Sequence, residues 1–230
     1  MRVAALVSGG KDSALALHRA LRESHEVDFL VAMIPQREDS WMFHYPNIHL
    51  VDMFAEASGI PLVKGHTVGI KEEEVEDLQL VLAKLDVEGV VSGAIASQYQ
   101  KHRISKVCRN LGLQSITPLW KEDPLRLLQE LIDQQIKAMI TGVYAHGFNE
   151  SWLGRYITPN TISALLQLNH KYQISIVGEG GEYETLVLDA PFFKKKIAII
   201  ETKKIWENQS GWLQIEKAQL YTRNKNTVAN

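Results

Sequence analysis

The sequence predicts an α/β protein in which a parallel sheet covered by helices is followed by a smaller α+β unit. Three observations carry that expectation. Short apolar runs bounded by turn residues alternate with segments of helical period from the first residues onward, the pattern of successive strand–helix–strand units. A diglycine stretch, Ser8 to Ser13, stands directly between the first apolar run and the first helical segment. After Trp120 the alternation gives way to a helix start at Asp123-Pro124 and a mixed set of elements.

The elements follow in order. Strands are expected at Val3–Val7, Val27–Ile34, Leu62–His66, Gly89–Ser92 and near Ser115–Ile116. Helices are expected between them, near Ala14–Leu21, Ile48–Ser58, Glu72–Leu85 and Tyr99–Leu111. The third helix has the clearest stripe, Val75, Leu78, Leu82 and Leu85, and its first turns carry Glu72, Glu73, Glu74, Glu76 and Asp77, which favour the positive end of a helix dipole. In the second part, Asp123 reads as an N-cap and Pro124 as the first helical residue, with Leu125, Leu128, Ile132 and Ile136 as the stripe. A strand near Ala138–Tyr144, a helix near Thr161–His170 and strand-like runs at Thr185–Leu188 and Lys196–Ile200 complete it. The expected division is residues 1–120, 121–222 and a polar tail at 223–230 that begins to fray near Thr222.

Composition narrows the function classes. The chain has 230 residues, 45% hydrophobic and 23% charged, with a formal net charge of −2, so a general electrostatic attraction to nucleic acid or an anionic membrane is not expected. No apolar stretch approaches the roughly 18 residues of a membrane span. Cys108 is the only cysteine, which excludes an intramolecular disulfide or a multi-cysteine zinc site and fits a reducing cytoplasm.

The strongest chemical signal is Ser8-Gly9-Gly10-Lys11-Asp12-Ser13. Two glycines let the backbone bring its N–H groups close to a ligand, and the following helix aims unpaired N–H groups and its positive dipole end at the same spot. Lys11 adds a point charge, Ser8 and Ser13 add hydroxyls, and Asp12 is a candidate for closing the loop or for contacting a magnesium ion carried by a nucleotide. The spacing is neither that of a Walker loop nor that of the dinucleotide fingerprint.

This stretch resembles the loop of the N-type ATP pyrophosphatases, the PP-loop superfamily. The resemblance implies a five-stranded parallel Rossmann-like (HUP-type) sheet of order 3-2-1-4-5 with helices on both faces. It also implies cleavage of ATP between its α and β phosphates. Three further motifs resemble one branch, the diphthine–ammonia ligase family: Asp39-Ser40-Trp41-Met42-Phe43-His44 with Pro46-Asn47; Ser92-Gly93-Ala94-Ile95 with Tyr99, Gln100 and Arg103; and Gly178-Glu179-Gly180-Gly181-Glu182-Tyr183-Glu184-Thr185. Where members of that family often continue with glutamate and asparagine, this chain has Ser105 and Lys106.

The resemblance implies ATP as a substrate with Mg2+, ammonium as the nitrogen donor and diphthine, a modified histidine of translation elongation factor 2, as the acceptor. Amidation would pass through an acyl-adenylate. The nucleotide-binding set it implies is Ser8, Gly9, Gly10, Lys11, Asp12, Ser13, Met33, Gly93, Ala94, Tyr99 and Gln100, with Lys11, Asp12 and Arg103 as catalytic residues and Asp12 also as metal ligand. Gly93 and Ala94 are read as small residues that let the nucleotide approach the backbone, and Arg103 as a charge for the leaving pyrophosphate. His44, Glu179, Gly180, Gly181, Glu182, Tyr183 and Glu184 form the expected substrate set. Tyr183 beside a carboxylate is a chemically sensible seat for the quaternary ammonium of diphthine. Two alternatives stay open: a tRNA-modifying enzyme of the lysidine or thiolation type, and a nucleotide-binding regulator without turnover. The sequence leaves a homo-oligomer open.

Overall fold

The structure is a computed structural model, and it describes residues 1–35, 47–68 and 73–223. The first part forms five strands, β1 (Arg2–Leu6), β2 (Glu26–Pro35), β3 (Leu62–Thr67), β4 (Gly89–Val91) and β5 (Gln114–Ile116), all parallel and ordered β3-β2-β1-β4-β5. Its helices are α1 (Lys11–Arg22), α2 (Val51–Ser58), α3 (Glu73–Leu82) and α4 (Gln98–Leu111). Each strand returns through a helix, the only economical way to lay parallel strands side by side. The order reverses at β1, which pairs with β2 on one side and β4 on the other. That reversal opens a crevice at the carboxyl ends of β1 and β4.

Helix α1 shows why the first unit closes where it does. Ala14, Leu15, Ala16, Leu17 and Ala20 are buried, and small alanines let the helix lie close to the sheet while the leucines fill the space beyond. Each leucine withdrawn fully from water contributes roughly 1.5–3 kcal/mol. Helix α3 buries Val75, Leu78 and Leu82 as its stripe predicts, but it ends at Leu82, so Leu85 lies beyond it.

The second part contains α5 (Pro124–Asp133), β6 (Lys137–Val143), α6 (Pro159–Tyr172), β7 (Tyr183–Asp189), β8 (Lys195–Glu207) and β9 (Ser210–Thr222). Asp123 caps α5 by accepting from Arg126 N at 2.9 Å, with Pro124 in the first turn. The buried face of α5 is Leu127, Leu128 and Leu131, rotated from the expected stripe. The four strands form a second sheet, β7-β6-β9-β8, in which β6 pairs antiparallel with β7 and β9, and β8 with β9.

Strand β9 is absent from the sequence expectation, and β8 runs seven residues past the expected end at Ile200. The two pair through a tight turn with Asn208 at φ 55°. Their outer residues are largely polar, and Leu213 and Ile215 are the only apolar side chains of β9 that are buried, so the apolar alternation is too weak to announce a strand. The reading of a tail fraying from Thr222 is corrected too: Thr222 pairs with Lys195, and the Arg223 guanidinium donates to the Ala190 and Phe193 carbonyls at 2.9 and 3.0 Å.

One apolar cluster runs through both sheets, from Val3, Leu15 and Phe54 to Leu128, Ile140, Leu165 and Leu213. Polar bonds reinforce it: Arg19 of α1 makes a bidentate pair with Glu130 of α5 at 3.0 and 2.5 Å, and His18 Nε2 lies 3.0 Å from Gln134 Oε1. The α1 face of the first sheet is thereby held against the second part, and the site lies along that seam.

Candidate functional site

The loop leaves β1 at Leu6, turns through Gly9 at φ +84°, and enters α1 with Gly10 as the N-cap. Only glycine takes that φ without strain. Ser13 Oγ donates to Gly10 O at 3.1 Å and stands 3.3 Å from Ser8 Oγ, so the hydroxyls tie the loop to itself. Strand β7 braces it from outside. Lys11 N donates to Thr185 Oγ1 at 3.1 Å and Val187 N donates to Gly9 O at 2.8 Å. Helix geometry leaves the N–H groups of Asp12 and Ser13 without an intrahelical acceptor at the positive end of α1.

A cavity of about 720 Å³ opens over this loop. Its walls include Ser8, Gly10, Lys11, Asp12 and Ser13 from the loop, Met33 from β2, and Ser92, Gly93, Ala94, Tyr99 and Gln100 from β4 and α4. Glu179, Gly180, Gly181, Tyr183 and Glu184 line it from the second part. The structure thus gathers most of the expected nucleotide and substrate residues around one space. Gly9, Arg103 and Glu182 are not among the lining residues, and His44, with the Asp39–His44 stretch and Pro46, lies outside the described residues.

Several side chains do something different from the sequence expectation. Gly93 is small because of the protein itself: a Cβ there would stand 2.8 Å from Asp12 C and Ser13 N, so the end of β4 rests directly on the backbone that starts α1. Met33 reaches the cavity wall, and its thioether would be the first atom met by a Cβ on Gly65, so it also plugs the space between β2 and β3. The Arg103 guanidinium stacks on the Tyr99 ring, 3.8 Å from its centroid, one helical turn away. Ala94 is buried at the wall.

Lys11 is only 3% exposed. Its Nζ donates to both Asp12 carboxylate oxygens, at 2.9 and 2.8 Å, and to the Val177 carbonyl. It also lies over the Tyr183 ring, 5.2 Å from the centroid. The expected seat for a substrate quaternary ammonium is therefore occupied by the chain's own ammonium. Tyr183 is buried, its hydroxyl donates to Ile176 O at 2.7 Å, and burial raises its pKa well above the ordinary value.

The carboxylates sort by partner. Glu179 Oε1 accepts from the backbone N–H groups of Ala96 and Ser97, the latter at 2.6 Å, so an acid from the second part caps the start of α4. Glu182 Oε1 accepts from Ser175 N at 2.8 Å and is used within its own loop. Asp12 is held by Lys11; burial pushes its pKa up, Lys11 pulls it down, and the Glu179 charge adds a smaller rise. Glu184 differs, because no hydrogen-bond donor among the described residues reaches its carboxylate. Burial pushes its pKa up to about 8, with Lys11 opposing and Asp12 adding to the rise.

These partners decide the metal question. Both Asp12 oxygens are engaged by Lys11, and among the described residues no group of three or more His, Cys, Asp or Glu is placed to hold a metal ion. The described residues by themselves do not assemble a magnesium site. Sequence reasoning also passed over two lining residues. The Ser92 hydroxyl is buried on the cavity wall with no hydrogen-bond partner among the described residues, and Tyr144 borders the wall next to the acidic strand. Ser92 heads a motif already singled out, whereas nothing in the sequence marks Tyr144.

The fold and its loop define an α/β protein whose glycine loop opens onto a cavity at the carboxyl ends of a parallel sheet. Comparison with known proteins narrows this. The model of the diphthamide synthase N-terminal domain matches residues 1–115, and that of the diphthamide synthase C-terminal domain matches residues 123–221. The diphthine–ammonia ligase of Mus musculus is 36% identical over 96% of this chain and 91% of its own length. That of Danio rerio is 36% identical over 99% of both chains, and that of Homo sapiens 38% identical over 86% of this chain and 83% of its own. The chain belongs to the diphthine–ammonia ligase family. A solved structure, described as a predicted subunit of tRNA methyltransferase from Methanocaldococcus jannaschii, covers 83% of this chain and 98% of its own at 15% identity and a TM-score of 0.47, too distant to bear on function.

Proposed function

We propose that this protein is an ATP-dependent ligase that amidates diphthine to diphthamide on elongation factor 2, with ammonium as nitrogen donor and AMP and pyrophosphate as products. The observation that carries the reading is the meeting of the glycine loop and the acidic motif on one cavity, joined by the bond from Lys11 N to Thr185 Oγ1. In this reading residues 1–120 hold ATP, with its phosphates over Ser8 to Ser13, and residues 121–222 present the acceptor.

The acceptor carboxylate attacks the α-phosphate to give an acyl-adenylate, and ammonia displaces AMP. The Asp12 and Ser13 N–H groups and the dipole of α1 oppose the charge that builds on the phosphates. Lys11 joins them only by giving up part of its contact with Asp12 and Val177. Gly93 fixes the start of α1 against β4, and Tyr99 with Gln100 borders the same space from α4.

The thiolation alternative lacks a nucleophile. Cys108 is buried on the inner face of α4, and burial pushes its thiol pKa up to about 11, the reverse of what a reactive cysteine needs. The test is mass spectrometry of elongation factor 2 carrying diphthine, before and after incubation with this protein, ATP and ammonium. The expected result is conversion of the carboxylate to the amide with one AMP released per event. AMP release without modification of the factor overturns the acceptor assignment.

A further inference from the structure

The cavity has a polar end at the glycine loop and an apolar end on the first sheet, and strand alternation defines the second. Successive side chains of a strand face opposite sides of its sheet. Ala4 of β1, Val31 and Met33 of β2 and Val90 of β4 belong to a second apolar cluster, closed by α3 and α4. Leu6 follows Ala4 by two positions and packs on the same cluster. Ser92 follows Val90 by two, and its N–H continues the ladder between β4 and β5 by donating to Ile116 O at 2.9 Å. The Ser92 side chain therefore faces the side of Leu6, Val31 and Met33, and these residues line the cavity together with Ile104 of α4.

Such an apolar end suits a nucleobase, and Ser92 is the misfit within it. The residue is 3% exposed, and its Oγ is buried with no hydrogen-bond partner among the described residues. A buried hydroxyl left unpaired is unfavourable, and the cavity is the open side from which a partner can arrive. Rotation about the Cα–Cβ bond carries Oγ between staggered positions without moving the backbone.

Position decides which group that partner is. The next residue, Gly93, rests on the backbone that starts α1, where a Cβ would stand 2.8 Å from Asp12 C and Ser13 N. Ser92 is thus one residue from the contact with the glycine loop, while Leu6 and Met33 lie on the two strands that follow β4 across the sheet, β1 and then β2. A nucleotide with its phosphates on the loop and its base over Leu6 and Met33 carries its sugar past Ser92. Resting on the ligase reading above, we propose that the Ser92 hydroxyl binds a ribose hydroxyl of ATP and holds the sugar between the base and the phosphates. The contact fixes the group from which the α-phosphate hangs, so it aligns the phosphorus atom that the acceptor carboxylate attacks. No bond to Ser92 forms or breaks in the reaction.

Ser92→Ala is the test, read by calorimetric titration with ATP, 2′-deoxy-ATP and 3′-deoxy-ATP. One of the two deoxynucleotides should bind the parent protein roughly tenfold more weakly than ATP, because it leaves the Ser92 hydroxyl unpaired. The variant should bind ATP roughly tenfold more weakly than the parent does and should no longer distinguish ATP from that analogue. Thermal unfolding of the free variant should match or exceed that of the parent, since the hydroxyl it loses has no partner there. A lower unfolding temperature would mean that Oγ is bonded within the free protein, and it overturns the assignment. Equal binding of all three nucleotides by the parent, an equal loss of all three in the variant, or an unchanged ATP affinity, as an ordered water on Ser92 would give, overturns it as well. AMP release by the parent with elongation factor 2 carrying diphthine is followed alongside: its absence refutes the ligase reading, while the titrations still decide Ser92.

Discussion

Lys11 N donates to Thr185 Oγ1 at 3.1 Å across 174 residues of chain, and that bond couples the glycine loop to the strand carrying the acidic motif. Thr185→Val keeps the shape and removes the acceptor, leaving a buried N–H without a partner. The expected cost is about 1–3 kcal/mol of stability. Thermal unfolding reads that loss, and calorimetric titration with ATP should show weakened binding. Unchanged values for both would mean the loop holds itself.

The Lys11–Asp12 pair predicts a separation of stability from activity. Lys11→Ala removes the partner of an Asp12 carboxylate whose side chain is 33% exposed, and losing that charge-assisted bond costs about 1–3 kcal/mol. Lys11→Met combined with Asp12→Asn removes both charges and should recover most of that stability without restoring AMP formation. Denaturant melts of the single and double variants, alongside AMP release, check the two halves. Recovery of activity in the double variant would remove Lys11 from the reaction.

Gly93→Ala forces a methyl group to within 2.8 Å of the α1 backbone at Asp12 and Ser13, and backbone cannot swing aside as a long side chain does. A destabilisation of about 1–3 kcal/mol follows. The larger consequence should be on nucleotide affinity, because the displaced atoms are those that present the N–H groups. Isothermal titration with a non-hydrolysable ATP analogue measures it.

Glu184 gives the folded state a characteristic pH dependence. Its ordinary pKa is 4.5 and its folded value about 8, so between these limits the unfolded chain has lost a proton that the native protein still holds. Stability from this residue is therefore undiminished below about pH 4.5, falls as pH rises toward about 8, and levels off above that. Glu184→Gln should flatten this part of the stability profile. Chemical denaturation of both proteins across the range tests the sign, and parallel profiles would show that Glu184 is not protonated in the fold.

The candidate site was partly legible because its main signals are local. Ser8 to Ser13 between a strand and a helix, the Asp123-Pro124 helix start and the Val75–Leu78–Leu82 stripe all act over a few residues, where spacing and residue type suffice. Strand β9 was not legible, because a strand with a mostly polar outer face has little alternation to read. The quaternary-ammonium role expected of Tyr183 also went astray, since a tyrosine beside carboxylates looks the same in sequence whether its ring meets a ligand or Lys11.

The sequence by itself determined the α/β class, the place of the glycine loop and most of the residues that line the cavity, since these depend on backbone freedom and apolar period within single elements. The tertiary structure alone decided which of those residues remain available. Packing the second part onto the loop gave the Lys11 N–H, the Lys11 ammonium and Glu179 partners across the seam and left Glu184 lining the cavity, because hydrogen bonds between residues up to 174 positions apart exist only once the two sheets are brought together.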